Sequence, residues 1–160
     1  MEKVLNLYKE IGETPLERLR RFKLQYPQYK EVKMAYAGRL DPLAEGVLLV
    51  LVDSEISKRE EYFRLSKEYR LEILFGIQTD SYDLLGIPAL GAPQKDFETL
   101  EFVVKNEINE WTALETQLYP PYSSKSIGGR QMHELARAGE LSFTHVPSHP
   151  IRITHIQYEG

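Results

Sequence analysis

The sequence predicts an α+β fold in which a mixed, mainly antiparallel sheet is flanked by helices within a single domain over residues 1–160. Three patterns support this prediction. Residues 47–52 are apolar on both faces, as in a central strand. Residues 67–75 alternate between apolar and polar side chains, as in a half-buried strand. Strand and helix patterns follow one another in mixed order with loops between them, which favours the α+β class.

The first elements have clear local signals. Val4–Tyr8 alternates like a short strand, and Gly12 breaks it. Thr14 and Glu17 have the spacing of a helix capping box, and Pro15 occupies the first helical position between them. Apolar side chains then recur at helical spacing and are expected in the core, namely Leu16, Leu19 and Phe22.

The middle of the chain continues the mixed order. Pro27 ends the first helix, and residues 33–37 form a short strand. After the apolar run, a helix is predicted over residues 54–65, followed by the alternating strand. Residues 76–91 are rich in loop formers.

The last third shows four further elements. A helix is predicted over residues 97–106 and a strand over residues 111–119, where Pro120 and Pro121 stop it. A short helix is expected over residues 131–138 and a final strand over residues 151–158.

Composition excludes several classes of protein. The chain has no cysteine, which excludes disulfides and thiolate metal sites. No apolar run approaches the roughly 18 residues that span a bilayer, and the N-terminus lacks a signal-peptide pattern, so a cytoplasmic protein is expected. The net charge of −4 disfavours a simple nucleic-acid binder unless the basic residues cluster.

Asp41 is the strongest candidate for chemistry. An aspartate followed by proline commonly caps a helix, and when the pair is taken alone this structural role is favoured over a catalytic one. Here, however, Gly38 and Gly46 flank the segment, and a core strand follows at once. A loop held in this way is a rigid mount for a carboxylate that acts as a nucleophile or general base.

The segment Gly38–Gly46 resembles the catalytic motif of the TruB-like tRNA pseudouridine synthase family, roughly G-x-L-D-P-x-A-x-G. Further segments resemble motifs of that family in the same order: Leu7–Pro15 (K-P-x-G-x-T-S, with Glu10 in place of the usual proline), Lys67–Tyr69 (K-x-Y), Gly76–Gly86 (G-x-x-T-D-T-x-D-x-x-G), Pro120–Lys125 (P-P-x-Y-S-A-x-K) and Gly129–Gly139 (G-K-x-x-Y-E-x-A-R-x-G).

The resemblance implies an isomerase that flips a uridine out of a tRNA loop, most naturally in the T-arm, and rebuilds it as pseudouridine without a metal or an organic cofactor. Asp41 is then the catalytic carboxylate, and Tyr69 the aromatic surface for the extruded base. As a residue of an alternating strand, Tyr69 would otherwise be read as a core tyrosine. Thr79, Asp80 and Asp83 are expected to fix their own loop through backbone hydrogen bonds.

Six further residues are expected to contact RNA. Two of them, Lys9 and Lys125, serve either as phosphate contacts or as scaffold. The full set comprises Tyr36, Arg39, Lys9, Lys67, Lys125 and Arg130.

The chain departs from the family pattern at four points. Tyr36 stands in the segment where a histidine is usual, and Arg39 replaces a small residue, where it could pair with a phosphate or with Asp41. The family's later K-G-x-Y-I-R motif, whose arginine pairs with the aspartate, and its C-terminal RNA-binding domain are not found. On this basis the domain is expected to be incomplete at its C-terminus, and a homodimer or a second polypeptide is expected to close the exposed sheet edge.

Three functions therefore remain open. The first is a minimal pseudouridine synthase. The second is a non-catalytic RNA-binding or tRNA-folding module on the same scaffold. The third, an unrelated glycosidase using Asp41 with Glu45, is disfavoured by the order of the motifs.

Overall fold

A computed structural model describes residues 2–91, 96–142 and 146–159 of the chain. These residues divide into two compact units, the first ending at Leu71 and the second beginning at Glu72. Both units combine helices with antiparallel strand pairs, so the predicted α+β class with antiparallel pairing is confirmed for the described residues.

The first unit is built on a three-stranded antiparallel sheet in the order β1-β3-β2. Its elements in chain order are β1 (Val4–Lys9), α1 (Pro15–Gln25), a 3-10 turn (Pro27–Tyr29), β2 (Met34–Ala37), β3 (Gly46–Val52), a 3-10 helix (Asp53–Lys58) and α2 (Arg59–Phe63). The strands predicted over residues 4–8, 33–37 and 47–52 and the first helix are confirmed. The helix predicted over residues 54–65 is instead a 3-10 segment followed by one short α-helix.

The capping box at the start of α1 forms as the sequence predicted. The Thr14 hydroxyl accepts from the Glu17 backbone N–H at 3.2 Å, and the Glu17 carboxylate accepts from the Thr14 N–H at 2.7 Å. Each bond satisfies a backbone donor that the helix itself cannot pair. The helix begins at Pro15 because of these two signals.

The core of the first unit lies between the sheet and α1. Central β3 pairs Leu48 with Leu7 and Val50 with Leu5 across β1. The buried cluster comprises Leu5, Leu7, Leu19, Phe22, Tyr29, Leu48, Val50 and Val52. Leu16, predicted to be in the core, is 46% exposed, because only the following turns of α1 face the sheet.

The second unit contains shorter elements, namely β4 (Ile77–Thr79), β5 (Pro88–Leu90), α3 (Phe97–Thr112), β6 (Thr116–Leu118), β7 (Ser126–Ile127), β8 (Arg130–Gln131), α4 (Met132–Arg137) and β9 (Ser148–Pro150). The strands pair antiparallel as β4-β5, β6-β9 and β7-β8. Within the described ranges, no helix combines the length and apolar character that crossing a bilayer requires.

Two strand predictions are wrong, and a third is confirmed over only part of its length. Residues 67–75 and 151–158 have no strand, and the strand predicted over residues 111–119 is limited to Thr116–Leu118, because α3 continues to Thr112. Alternation supplies an apolar face, but a strand also needs a neighbour for its backbone hydrogen bonds. None of the described strands pairs with the two unpaired segments.

Candidate active site

Residues 38–45 form the loop that joins β2 to β3 at one end of the first sheet. Gly38 and Gly46 bound this loop with φ angles of +108° and +126°, which residues with a side chain rarely adopt. The last pair of the β1–β3 ladder, Lys9 with Gly46, lies at the same end of the sheet. The two glycines therefore let the chain leave and re-enter a rigid sheet around Asp41.

Asp41 presents its side chain at the surface of this loop. It is exposed, and none of the described residues makes a hydrogen bond or ion pair with its carboxylate. Its backbone carbonyl accepts from the Ala44 N–H at 3.0 Å, which closes a turn rather than starting a helix. The interpretation of Asp41 as a helix cap is therefore wrong, and its oxygens remain accessible.

The residue after Asp41 fastens the loop to the rest of the unit. The Pro42 carbonyl accepts from the Gly12 N–H at 2.8 Å and from the Lys9 ammonium at 3.4 Å. Lys9 is fully buried, and its ammonium also donates to the Glu10 carbonyl at 2.9 Å. Of the two roles expected for Lys9, burial supports the scaffold role and leaves its charge out of reach of a phosphate.

An arginine that the sequence did not single out lies beside Tyr36. Arg59 Nε donates to the Tyr36 carbonyl at 3.1 Å, and its guanidinium lies 5.9 Å from the Tyr36 ring and 4.9 Å from the Phe63 ring. Only the four-residue spacing of Arg59 and Phe63 on one helix hinted at this arrangement. With Arg59 packed against its ring, Tyr36 is half-buried on β2.

Tyr69 and Lys67 lie in the extended segment after α2. The Tyr69 ring is 68% exposed, so it is not the core tyrosine of an alternating strand. The Lys67 ammonium donates to the carbonyls of Phe63 and Leu65 at 2.8 and 2.9 Å, at the C-terminus of α2. Among the described residues, no hydrogen bond or ring contact joins Tyr69 to Asp41.

The other carboxylate of the loop, Glu45, acts on the titration of Tyr8. Hydrogen bonding to Glu45 raises the pKa of Tyr8 above its ordinary value, with smaller contributions from desolvation and from the charge of Glu45. Tyr8 therefore remains a protonated donor at neutral pH. This interaction with Tyr8 distinguishes Glu45 from Asp41, and it weakens the glycosidase hypothesis, which needs both carboxylates for chemistry.

The Gly76–Gly86 segment, in the second unit, is held by its own polar side chains. Asp80 accepts from the Ile87 N–H at 2.7 Å and from the Tyr122 hydroxyl at 2.9 Å. Asp83 accepts from the Leu85 N–H at 2.9 Å, and the Thr79 hydroxyl donates to the Asp83 carbonyl at 2.6 Å. The structural role predicted for Thr79, Asp80 and Asp83 is confirmed.

This loop is expected to be sensitive to acid. The Ile87 N–H, followed by the Tyr122 hydroxyl, holds the pKa of Asp80 below its ordinary value of 3.8. A depressed folded-state pKa stabilises the loop above the unfolded-state pKa, and that contribution is lost as the pH falls through the folded-state value. Tyr122→Phe removes one donor, so the Asp80 carboxyl resonance should titrate at higher pH in a ¹³C NMR experiment.

The matched control for this titration is Tyr82→Phe, because the Tyr82 ring is 72% exposed and Asp80 receives no hydrogen bond from it. It should leave the Asp80 titration unchanged. An Asp80 pKa that does not move in Tyr122→Phe would contradict the assignment of the hydrogen bond.

Two predicted RNA contacts lie elsewhere in the second unit. The Lys125 ammonium lies 5.4 Å from the centre of the Tyr119 ring, and Lys125 is exposed. Arg130 is paired with Glu140 at 2.5 Å, with both side chains about half exposed. Solvent screens such a pair, so the guanidinium can exchange Glu140 for a phosphate at small cost.

Comparison with known proteins identifies the family. Residues 25–159 match the model of the TruB family pseudouridylate synthase (N terminal domain). Relatives include proteins named tRNA pseudouridine synthase B from Aquifex aeolicus (33% identical, 96% of this chain, 50% of the relative), Nostoc sp. (28%, 98% and 50%) and Synechocystis sp. (34%, 82% and 43%).

The chain spans about half the length of these curated relatives. The family match covers both compact units apart from the first 24 residues, and it includes the Asp41 loop and the Gly76–Gly86 segment. The chain therefore belongs to the TruB family of pseudouridylate synthases, within the N-terminal domain of that family.

Proposed function

We propose that this chain is the catalytic domain of an RNA pseudouridine synthase and that Asp41 is its catalytic carboxylate. The observation that carries the proposal is the exposed Asp41 side chain, unpartnered among the described residues, on a loop fastened through Pro42. Polar side chains elsewhere on the chain hold backbone groups, as Asp80 and Lys67 do. Asp41 holds none, so it is available to a substrate.

The proposed reaction leaves the elemental composition of the nucleotide unchanged. The bond between uracil N1 and ribose C1′ breaks, the uracil turns, and C5 bonds to C1′. The proton leaves C5 and N1 is protonated, so no oxidant or reductant is consumed. A carboxylate beside C1′ can form a transient covalent bond or accept a proton, and the Asp41 geometry is compatible with both.

The exposed Tyr69 ring is proposed to receive the extruded base. Stacking of a base on an aromatic ring contributes roughly 1–3 kcal/mol. Extrusion itself costs a few kcal/mol and least where the base is already in a loop, which favours a loop uridine as substrate. The relatives' name, tRNA pseudouridine synthase B, supports tRNA, and the resemblance of the motifs supports its T-arm.

RNA contacts are proposed for Tyr36, Arg39, Lys125 and Arg130. Arg39 lies in the catalytic loop and is exposed, while Lys125 and Arg130 carry charge on the second unit. Lys67 is proposed to hold the chain that leads into Tyr69 rather than to bind phosphate, because its ammonium already has two carbonyl partners.

The direct test is a tritium-release assay. A synthetic T-arm stem-loop carrying tritium at C5 of one loop uridine should lose its label to water, because C5 gives up its hydrogen when it bonds to C1′. A label at a uridine in the stem of the same RNA should be retained. If excess protein binds this RNA yet releases no tritium, the non-catalytic RNA-binding module replaces the enzyme.

A further inference from the structure

Three charged side chains tie the turn between β1 and α1 to the helix. Arg21 Nη1 lies 2.8 Å from Glu10 Oε2, and Arg21 Nη2 lies 2.9 Å from Glu13 Oε1. The Glu10 N–H donates to the same Glu13 oxygen at 2.9 Å. Glu10, Glu13 and Arg21 are called the turn clamp below. One guanidinium thus holds two carboxylates from opposite ends of a short turn.

The turn held by the clamp is hydrogen-bonded to the catalytic loop. Gly12, between the two glutamates, donates its N–H to the Pro42 carbonyl at 2.8 Å. The Glu10 carbonyl and the Pro42 carbonyl share the Lys9 ammonium, at 2.9 and 3.4 Å. Any shift of the turn therefore moves Pro42, and with it the adjacent Asp41.

The turn needs such a restraint because its own backbone supplies little. Gly12 has a φ of +86°, and glycine is the residue with the most conformational freedom. In the motif that this segment resembles, position 10 is proline, whose ring fixes φ. Glu10 has no ring, and its carboxylate instead reaches α1 through Arg21.

The three side chains of the turn clamp differ in how far they are buried, and the most buried one is held most firmly. The Glu13 side chain is only 15% exposed, whereas those of Glu10 and Arg21 are 60% and 48% exposed. A single exposed ion pair holds weakly, but an arginine that engages two acceptors with its planar fork also fixes their relative geometry. The mostly buried Glu13 carboxylate fixes the position of the Arg21 guanidinium, which in turn holds the exposed Glu10 carboxylate.

We propose that the turn clamp positions Asp41 for catalysis, with Arg21 as a positioning residue that contacts neither the RNA nor the reacting atoms. The proposal rests on the proposed function and deepens it. It assigns to an ion network on α1 the setting of the catalytic loop, through Gly12 and Pro42. Misplacing a catalytic group by about 1 Å can cost on the order of a hundredfold in rate, so a partial loosening should be visible in kcat.

The experiment uses the full chain with Arg21→Met, which keeps the length of the side chain but removes its charge. Hydrogen exchange by NMR reports directly on the Gly12 amide, bonded to Pro42, and on the Ala44 amide, bonded to Asp41. Both should exchange on the order of tenfold faster than in the unsubstituted chain. Amides within β3 serve as the internal control and should not change.

The matched control is Arg20→Met, which removes the same charge from the neighbouring position of α1, where the side chain is exposed and outside the clamp. It should leave the Gly12 and Ala44 exchange rates unaltered. In steady-state conversion of the T-arm RNA, Arg21→Met should lower kcat on the order of tenfold and leave KM within about twofold, because positioning acts on the chemical step.

The outcomes separate this inference from the function on which it rests. Faster exchange at Gly12 and Ala44 together with a lower kcat supports the turn clamp. Unchanged exchange, or faster exchange with full kcat, overturns it while the enzyme stands. Absence of turnover in the unsubstituted chain overturns the proposed function instead, and with it the catalytic part of the inference, whatever the exchange rates show.

Discussion

Asp41→Asn is expected to lower the rate of pseudouridine formation by about a thousandfold or more, at the upper end of the effect of removing a catalytic carboxylate. The amide keeps the shape of the side chain but can neither attack C1′ nor accept a proton. RNA affinity should stay within about threefold, since the substitution removes no cation that contacts phosphate. Single-turnover conversion with protein in excess, together with filter binding of the same RNA, measures both quantities.

The matched control for this substitution is Glu45→Gln, at the other end of the same loop. Glu45 is also exposed, but it raises the pKa of Tyr8 and is not proposed to touch the nucleotide. It should retain conversion within about threefold, as expected for a change outside the reacting atoms. Equal losses in the two variants, or full activity in Asp41→Asn, would remove Asp41 from the chemistry.

Leu48→Ala is expected to lower the free energy of unfolding of the first unit by about 2–5 kcal/mol. Leu48 is 1% exposed in central β3, opposite Leu7 of β1, and truncation leaves a cavity that the paired strands cannot close. Urea unfolding followed by circular dichroism measures the change.

Val47→Ala, one residue earlier on the same strand, is the control for this loss. Val47 is 62% exposed and faces away from the core, so its truncation should change stability by only about 0.5 kcal/mol. Comparable losses in the two variants would show that the alternation along β3 does not separate core from solvent.

The parts of the fold that local patterns could predict are most of the first unit and the two helices of the second, α3 and α4. Val4–Tyr8 alternates like a short strand, Val47–Val52 is continuously apolar, and the capping box marks the start of α1. In each case a short segment carries its own signal. Residues 67–75 carry an equally regular alternation, but a strand depends on a partner elsewhere in the chain, and alternation contains no information about that partner.

The sequence could predict the central residue of the candidate site, but it could not predict most of the contacts that surround that residue. Asp41 follows from its loop and motif, whereas the partner of each cation depends on which acceptor the fold brings near. The Lys9 ammonium meets the Pro42 carbonyl from 33 positions away, and no local pattern encodes that contact. Arg59 could not be predicted for the same reason, because its partner is a carbonyl on β2 that lies far away in the sequence. Charged residues can be located from the sequence, but their partners cannot.

The two glycines that bound the Asp41 loop have a consequence for how variation acts on this protein. A Cβ atom at Gly38 or Gly46 would meet no other atom within 4 Å, so the obstacle to a side chain there is backbone torsion and not space. A substituted chain can relieve that torsion by swinging the loop while the hydrophobic core stays intact. Inherited changes at these two positions would then yield well-folded but impaired molecules, which cellular quality control does not remove.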